Sequence, residues 1–308
     1  MSYRLLISEY AYSDDSMRGW LELDAFGIEF RPRYVPMFSD EYAHALITYA
    51  PAISLPVLFG ETDREDDLIW AGSAAAEILA ERHPSAGLWP EIMDMRETAR
   101  ALSASARTGF SSLQALPMNL HARYQGFVPS AAEQQDVDAV SRLWAWALAS
   151  SGGPFLCGDD FCAADAAFAP IASRFVTYGL EMTDAVKAYV GAIYSHPAVR
   201  RWHACADAQL RRIDDLHRDL PSGSNNDWPR QPVWPAKPYS GGVVDAINEF
   251  CPYSGLPIVA DSMAEIDGQI VGFCNQFCCR RGMADAESWP TVMAIMGRQA
   301  RTPAVAAA

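Results

Sequence analysis

The stretch ISLPVLFG, residues 53–60, reads as a short buried strand with a proline near its middle. Pro56 has no N–H to give to a ladder, so a strand that contains it begins at the proline, runs along an edge, or bulges there. Proline is also the residue type that tolerates a cis peptide bond. The neighbouring segments decide among these readings. YRLLIS (3–8) alternates and is rich in strand formers. YSDDS then supplies cap residues ahead of MRGWLELDAF, whose Met17, Trp20, Leu21 and Leu23 form one apolar helical stripe. GIEFRPRYV (27–35) reads as a second strand interrupted by Pro32, and SDEYAHALITY (39–49) as a short helix begun by Ser39. After the Pro56 strand come an acidic turn (62–67), the short strand LIW (68–70) and an alanine-rich helix, GSAAAEILAERHP, stopped at Pro84. The order is β-α-β-α-β-β-α.

That order is the thioredoxin-like arrangement, in which a cis-proline precedes the third strand and turns the preceding backbone outward. Pro56 is then expected to start a strand, with the N–H and C=O of Leu55 directed outward. The alternative is a trans proline at an ordinary edge. From Pro90 to about Leu216 every segment has helical periodicity, including a continuous helix over EIMDMRETARALSASARTGFSSL, a second ended by Gly152-Gly153, and a last one begun at Pro197. Residues 218–242 contain five prolines and no periodicity, which predicts an extended linker, with Trp228 and Trp234 laid against the helical unit. The expected fold class is therefore α/β plus all-α. It comprises a thioredoxin-like domain over 1–85, an all-helical domain over 90–217, the linker, a small α+β module over 243–296 and a frayed tail over 297–308.

Composition bounds the function. Half of the 308 residues are hydrophobic and a fifth are charged, enough for a real core across roughly two domains. A formal charge of −14 opposes phosphate backbones and anionic lipid, so neither nucleic acid nor a membrane surface is an expected partner. No run approaches the ~18 apolar residues of a membrane span, and the acidic start MSYRLLISEYAYSDD is unlike a signal peptide. A cytoplasmic protein is expected.

A thioredoxin-like unit followed by a helical unit resembles the cytosolic glutathione S-transferases, and three local matches carry the resemblance. YSDDSMRGW is similar to the Ser-Ser-x-Ser-x-Arg stretch of serine-type members such as the zeta class, which implies Ser13 as the catalytic serine. Leu55-Pro56 matches the pair whose backbone holds the cysteinyl amide of glutathione. WAGSAAAEILAERHP is similar to the segment opening the family's third helix, which implies Ser73, with the N–H of Gly72, as the site of the γ-glutamyl carboxylate. The physics agrees. A hydroxyl at a helix N-terminus can donate to a thiolate and lower the thiol's pKa, and helix N-termini bind carboxylates. In the helical unit, Asp165 is expected to reach back to the N–H of Cys162, as in the family's capping box. PMNLHAR (117–123) falls where the family's fourth helix lines the electrophile site, so Met118, Asn119 and Arg123 are candidate contacts.

The resemblance implies a glutathione transferase: glutathione as co-substrate, Ser13 stabilising its thiolate, an apolar electrophile, and a homodimer. Asp14 and Asp15 beside Ser13, and Gly72 where relatives carry an acid, weaken the case for fast thiol activation. They favour a catalytically weak glutathione-binding or interaction protein, with a metal-sensing or partner-binding C-terminal module. A glutathione-dependent isomerase, as in zeta relatives, is a third reading. In the C-terminal part Cys251, then Cys274 and Cys278 at Cys-x3-Cys spacing, follow the pattern of small YHS or TRASH metal-binding modules around an Asp267-Gly268 hairpin. Position 254 carries Ser254 in place of a fourth cysteine, and the module has no histidine, whereas structural zinc takes four protein ligands. The cluster therefore reads as a degenerate, apolar-packed remnant ahead of a zinc site. Exposed, redox-active Cys278 and Cys279 are a further reading.

Overall fold

The computed structural model describes residues 3–60, 74–223 and 233–298, together with the backbone of 68–69. The chain divides into two compact units, 1–199 with 212–229, and 200–211 with 230–308.

The first unit opens with β1 (Tyr3–Ile7), α1 (Asp14–Asp24), β2 (Phe30–Tyr34), α2 (Asp40–Thr48), β3 (Val57–Phe59), β4 (Leu68–Ile69) and α3 (Ala75–Arg82). The sheet order is β2-β1-β3-β4, with β1 parallel to β2 and antiparallel to β3. Pro32 does not interrupt β2: it pairs with Leu5, and β2 is an edge strand, where a missing N–H costs no ladder bond. β3 begins directly after Pro56, and all three of its residues are buried. Trp70 lies outside the described residues.

The helices that follow are α4 (Met93–Thr108), α5 (Ser111–Gln114), α6 (Ala131–Ser151), α7 (Ala163–Thr177), α8 (Asp184–Ser195) and α9 (Pro197–Ala208). The continuous helix expected over 91–113 breaks at Gly109, because Phe110 takes a left-handed conformation (φ 57°). The restart at α5 is capped from α6: Asp136 accepts the N–H groups of Ser112 and Leu113 at 2.8 and 3.0 Å. Every residue of α7 is buried, and Trp144 of α6 packs its ring on Phe168, Phe175 and Tyr189. Asp165 accepts the N–H of Cys162 at 2.9 Å, and also the Leu156 N–H and the Tyr189 hydroxyl, so its buried carboxylate is well supplied with donors. Burial nevertheless raises its pKa.

The segment 115–119, after the end of α5, is held in non-helical form by side chains of α7 and the residue after it. Arg174 donates to the carbonyls of Gln114 and Leu116, Thr177 to that of Asn119, and Tyr178 to that of Pro117. The helix expected over 117–123 is thus absent; β5 (Arg123–Tyr124) follows instead and pairs with β6 (Ser222–Gly223).

The second unit holds a three-stranded antiparallel sheet of β7 (Ala236–Tyr239), β8 (Met263–Ile266) and β9 (Gln269–Gly272), then α10 (Gln276–Ala284) and α11 (Pro290–Ile295). The expected linker therefore ends before residue 236. Trp234 also belongs to this unit: it is buried and carries the Arg298 guanidinium over its ring, while the Asp267 N–H donates to the Pro235 carbonyl. Trp228 lies outside the described residues. Asp267 and Gly268 both take positive φ at the β8–β9 turn, the geometry of a tight hairpin. Arg200, at the start of the segment 200–211, grips Asp285 through two hydrogen bonds of 2.7 Å.

Candidate functional site

Ser13 is the N-cap of α1. It accepts the N–H of Ser16 at 3.3 Å, as a cap should. The preceding loop is fixed from below: the Ser13 N–H donates to the Glu9 carbonyl, and the buried Glu9 carboxylate accepts from Ser8 Oγ, Tyr34 Oη and the Met37 N–H. The Ser13 hydroxyl donates to Ser16 Oγ at 2.8 Å, and Ser16 Oγ also accepts the Ser8 N–H. Two hydroxyls in contact can reverse their sense: with Ser16 donating, Ser13 has its proton free for an anion in front of the helix.

Asp14 and Asp15 stand in the first turn of α1, where the helix dipole welcomes them. Each meets an arginine: Asp14 lies 2.8 Å from Arg174 Nη1, and Asp15 2.9 Å from Arg18 Nη1. Both guanidinium groups are buried. Arg18 donates further to the carbonyls of Ala167 and Ala106 and to Gln114 Oε1. The two acids that the sequence sets against a thiolate are thus neutralised in place.

The Leu55–Pro56 peptide is cis, as is Ala50–Pro51. Leu55 is buried in a cluster with Leu6, Val35, Ala45 and Val57, and a Cβ built on Gly19 of α1 falls 2.7 Å from Pro56 Cγ. The pyrrolidine ring is not a flexible tip that swings aside. Gly19→Ala is therefore expected to push α1 off Pro56 at a cost of about 1–3 kcal/mol in unfolding free energy, read by urea titration. Gly72 and Ser73 lie outside the described residues; Ala74, just before α3, offers no side-chain cap.

The segment 117–123 corrects the sequence reading of the electrophile contacts. Met118 and Asn119 are 1% and 0% exposed. Asn119 Nδ2 donates to Tyr124 Oη and faces the His217 ring, while its Oδ1 accepts the His121 N–H. Neither residue presents surface to a co-substrate. Arg123 is half-buried in β5.

A network that the sequence did not flag adjoins Ser13. Tyr12 Oη lies 2.9 Å from His217 Nε2, and the Tyr12 ring meets His121 and His217 edge-on. Burial raises the Tyr12 pKa, while burial, then Arg212 and His121, lower that of His217. The neutral imidazole thus suits the phenol as a hydrogen-bond partner. The Tyr12–His217 contact spans 205 positions of sequence, so no local pattern announces it.

In the second unit, the sulfur atoms of Cys251, Cys274 and Cys278 all lie within 4.8 Å of one another. Cys251 and Cys278 are buried; Cys274 is half-exposed. Cys279 stands outside this cluster, buried, its thiol pushed up to about 11 by burial. The reading of Cys278 and Cys279 as exposed thiols is thus overturned. Ser254 donates its hydroxyl to Cys274 Sγ at 3.1 Å. The hydrogen bond from Cys278 draws the Cys251 thiol well below its ordinary range, and the same contact raises Cys278.

No family model matches the chain, and no curated protein matches it. Solved structures do. A glutathione S-transferase from Rhodospirillum rubrum F11 is 18% identical, with 71% of this chain and 96% of that chain covered, at a TM-score of 0.53. A Tau class glutathione S-transferase from mango, Mangifera indica, is 18% identical over 70% of this chain and 95% of that one, at 0.50. A glutathione transferase Omega 3C from Trametes versicolor gives 15%, 65%, 87% and 0.50. The fold is that of the glutathione transferases. At these identities the likeness speaks to the fold, a thioredoxin-like domain with a helical domain, and not to chemistry. No helix of the described residues is long and apolar enough to cross a membrane.

Proposed function

We propose that the chain is a glutathione transferase-like enzyme of the serine type. Glutathione would lie against the thioredoxin-like half, its cysteinyl amide on the Leu55 backbone and its γ-glutamyl carboxylate at Gly72 and Ser73. Ser13 would donate to the thiolate, which attacks an apolar electrophile. The observation that carries this reading is the Ser13 hydroxyl at the head of α1, backed by a second hydroxyl, with Arg174 and Arg18 cancelling the neighbouring acids. A charge-assisted hydrogen bond and the helix N-terminus then act on the thiolate without an opposing charge. A cytoplasmic homodimer belongs to the same proposal; all seven cysteines are free, as a reducing compartment keeps them.

A second reading, a catalytically weak glutathione-binding protein, is favoured by one observation. Ser13 is only 7% exposed and its proton is engaged by Ser16. Calorimetric titration with glutathione, paired with a conjugation assay on an aryl halide, separates the two. Binding with turnover is expected; binding without turnover supports the second reading, and no binding removes both.

Zinc does not complete this picture. The cluster offers three thiols, the fourth corner carries the Ser254 hydroxyl donating to Cys274, and a closed structural zinc site takes four nitrogen or sulfur ligands. The residues present do not fit that ion, and no step is assigned to it.

A further inference from the structure

Three thiols kept close together, without the ligand set of a structural metal, invite a different chemistry. Accessibility separates them: Cys274 is half-exposed, whereas Cys251 and Cys278 are buried, as are the remaining cysteines. Donors converge on the sulfur of Cys274, the least buried of the three. Ser254 Oγ approaches Cys274 Sγ at 3.1 Å and Asn275 Nδ2 at 3.3 Å. Both hold that sulfur in place; the thiolate is the form of a thiol that attacks disulfides. The second sulfur is held ready behind the first. Cys278 Sγ lies 4.0 Å from Cys274 Sγ, in the first turn of α10, which Asn275 caps by accepting the Cys278 N–H at 2.9 Å. Arg281 Nη2 stands 3.5 Å from Cys278 Sγ. Its guanidinium cannot wander, being stacked 3.7 Å over Tyr253 and flanked by Phe277 and Trp289.

We propose that Cys274 and Cys278 are an attacking and resolving pair that exchanges with low-molecular-weight disulfides, glutathione disulfide being the probe. The Cys274 thiolate attacks one sulfur of that disulfide. The S–S bond breaks, a Cys274–glutathione bond forms, and the first glutathione departs as a thiolate. Cys278 then gives up its proton as it attacks Cys274 Sγ, closing a Cys274–Cys278 disulfide and expelling the second glutathione, which takes that proton. Two protein thiols are oxidised and one disulfide is reduced to two thiols; the protons shed by Cys274 and Cys278 end on the departing sulfurs. Nothing in the first unit takes part, so failure here leaves the proposed transferase standing, and the reverse.

The full chain, pre-reduced and freed of reductant, is incubated with excess glutathione disulfide and read by intact mass and peptide mapping. The wild type is expected to lose the mass of two hydrogens, retain no glutathione and carry a Cys274–Cys278 link that excess reduced glutathione reopens. Cys278→Ser is expected to stop with one glutathione on Cys274. Cys274→Ser is expected to show neither product, with an unchanged circular dichroism spectrum as the check on folding. The proposal is overturned by a wild-type protein that keeps a stable glutathione adduct, by one whose Cys274 stays unmodified, by a disulfide between other cysteines, or by a stoichiometric ion in elemental analysis that blocks the exchange.

Discussion

Replacing Arg174 with leucine is expected to lower the unfolding free energy by about 3–5 kcal/mol, the cost of removing one partner of a buried ion pair. Arg174 is 2% exposed, and its guanidinium serves Asp14 and the carbonyls of Gln114, Leu116 and Pro170. Deleting it leaves a carboxylate at the head of α1 and several carbonyls around α7 without their donor. Arg174→Lys is expected to recover little, because one ammonium cannot span acceptors laid out for a planar fork. Urea titration checks both variants, and a loss under about 1 kcal/mol, the size of an exposed pair, would show that the ion pair contributes little. The effect reaches the site as well: an unpaired Asp14 carboxylate adjoining Ser13 disfavours a thiolate there.

The second large effect concerns the hydroxyl itself. Ser13→Ala is expected to reduce kcat/KM for conjugation by about 10- to 100-fold, the equivalent of the ~1.5–3 kcal/mol of a hydrogen bond to a charged partner. Alanine also removes a helix cap, worth about 1 kcal/mol of stability. Two further variants separate the effects. Ser13→Asp keeps the cap but sets a carboxylate against the thiolate, so a stable, inactive protein is expected. Ser13→Thr keeps both cap and donor, and substantial activity is expected. An aspartate variant as active as the wild type would remove Ser13 from the mechanism.

The sheet and most helices were legible in the sequence because their signals are local. Pro56 at the start of a buried strand, Ser39 and Ser13 as caps, and Asp267-Gly268 at a hairpin each act within a few residues. What misled was also local. Pro32 reads as a break unless β2 is known to lie at an edge, and 117–123 reads as a helix until α7 claims its carbonyls. Residues 236–239 read as linker because proline and glycine surround them, yet β8 supplies their partner. The site shows the same division. Ser13 and the three clustered cysteines were marked by motif, whereas Arg174 against Asp14 and His217 against Tyr12 are joined only by the tertiary fold. Asp15 meets Arg18 within one helical turn, but the pairing of Asp14 with the buried Arg174 is one that spacing alone cannot disclose.

The most direct measurement is the pH titration of thiolate absorbance for glutathione bound to the wild type and to Ser13→Ala. The bound thiol is expected to titrate below its free range near ~8.5, and to move up by about 1–2 pH units in the variant. Equal values in the two proteins would contradict a thiolate held by the head of α1.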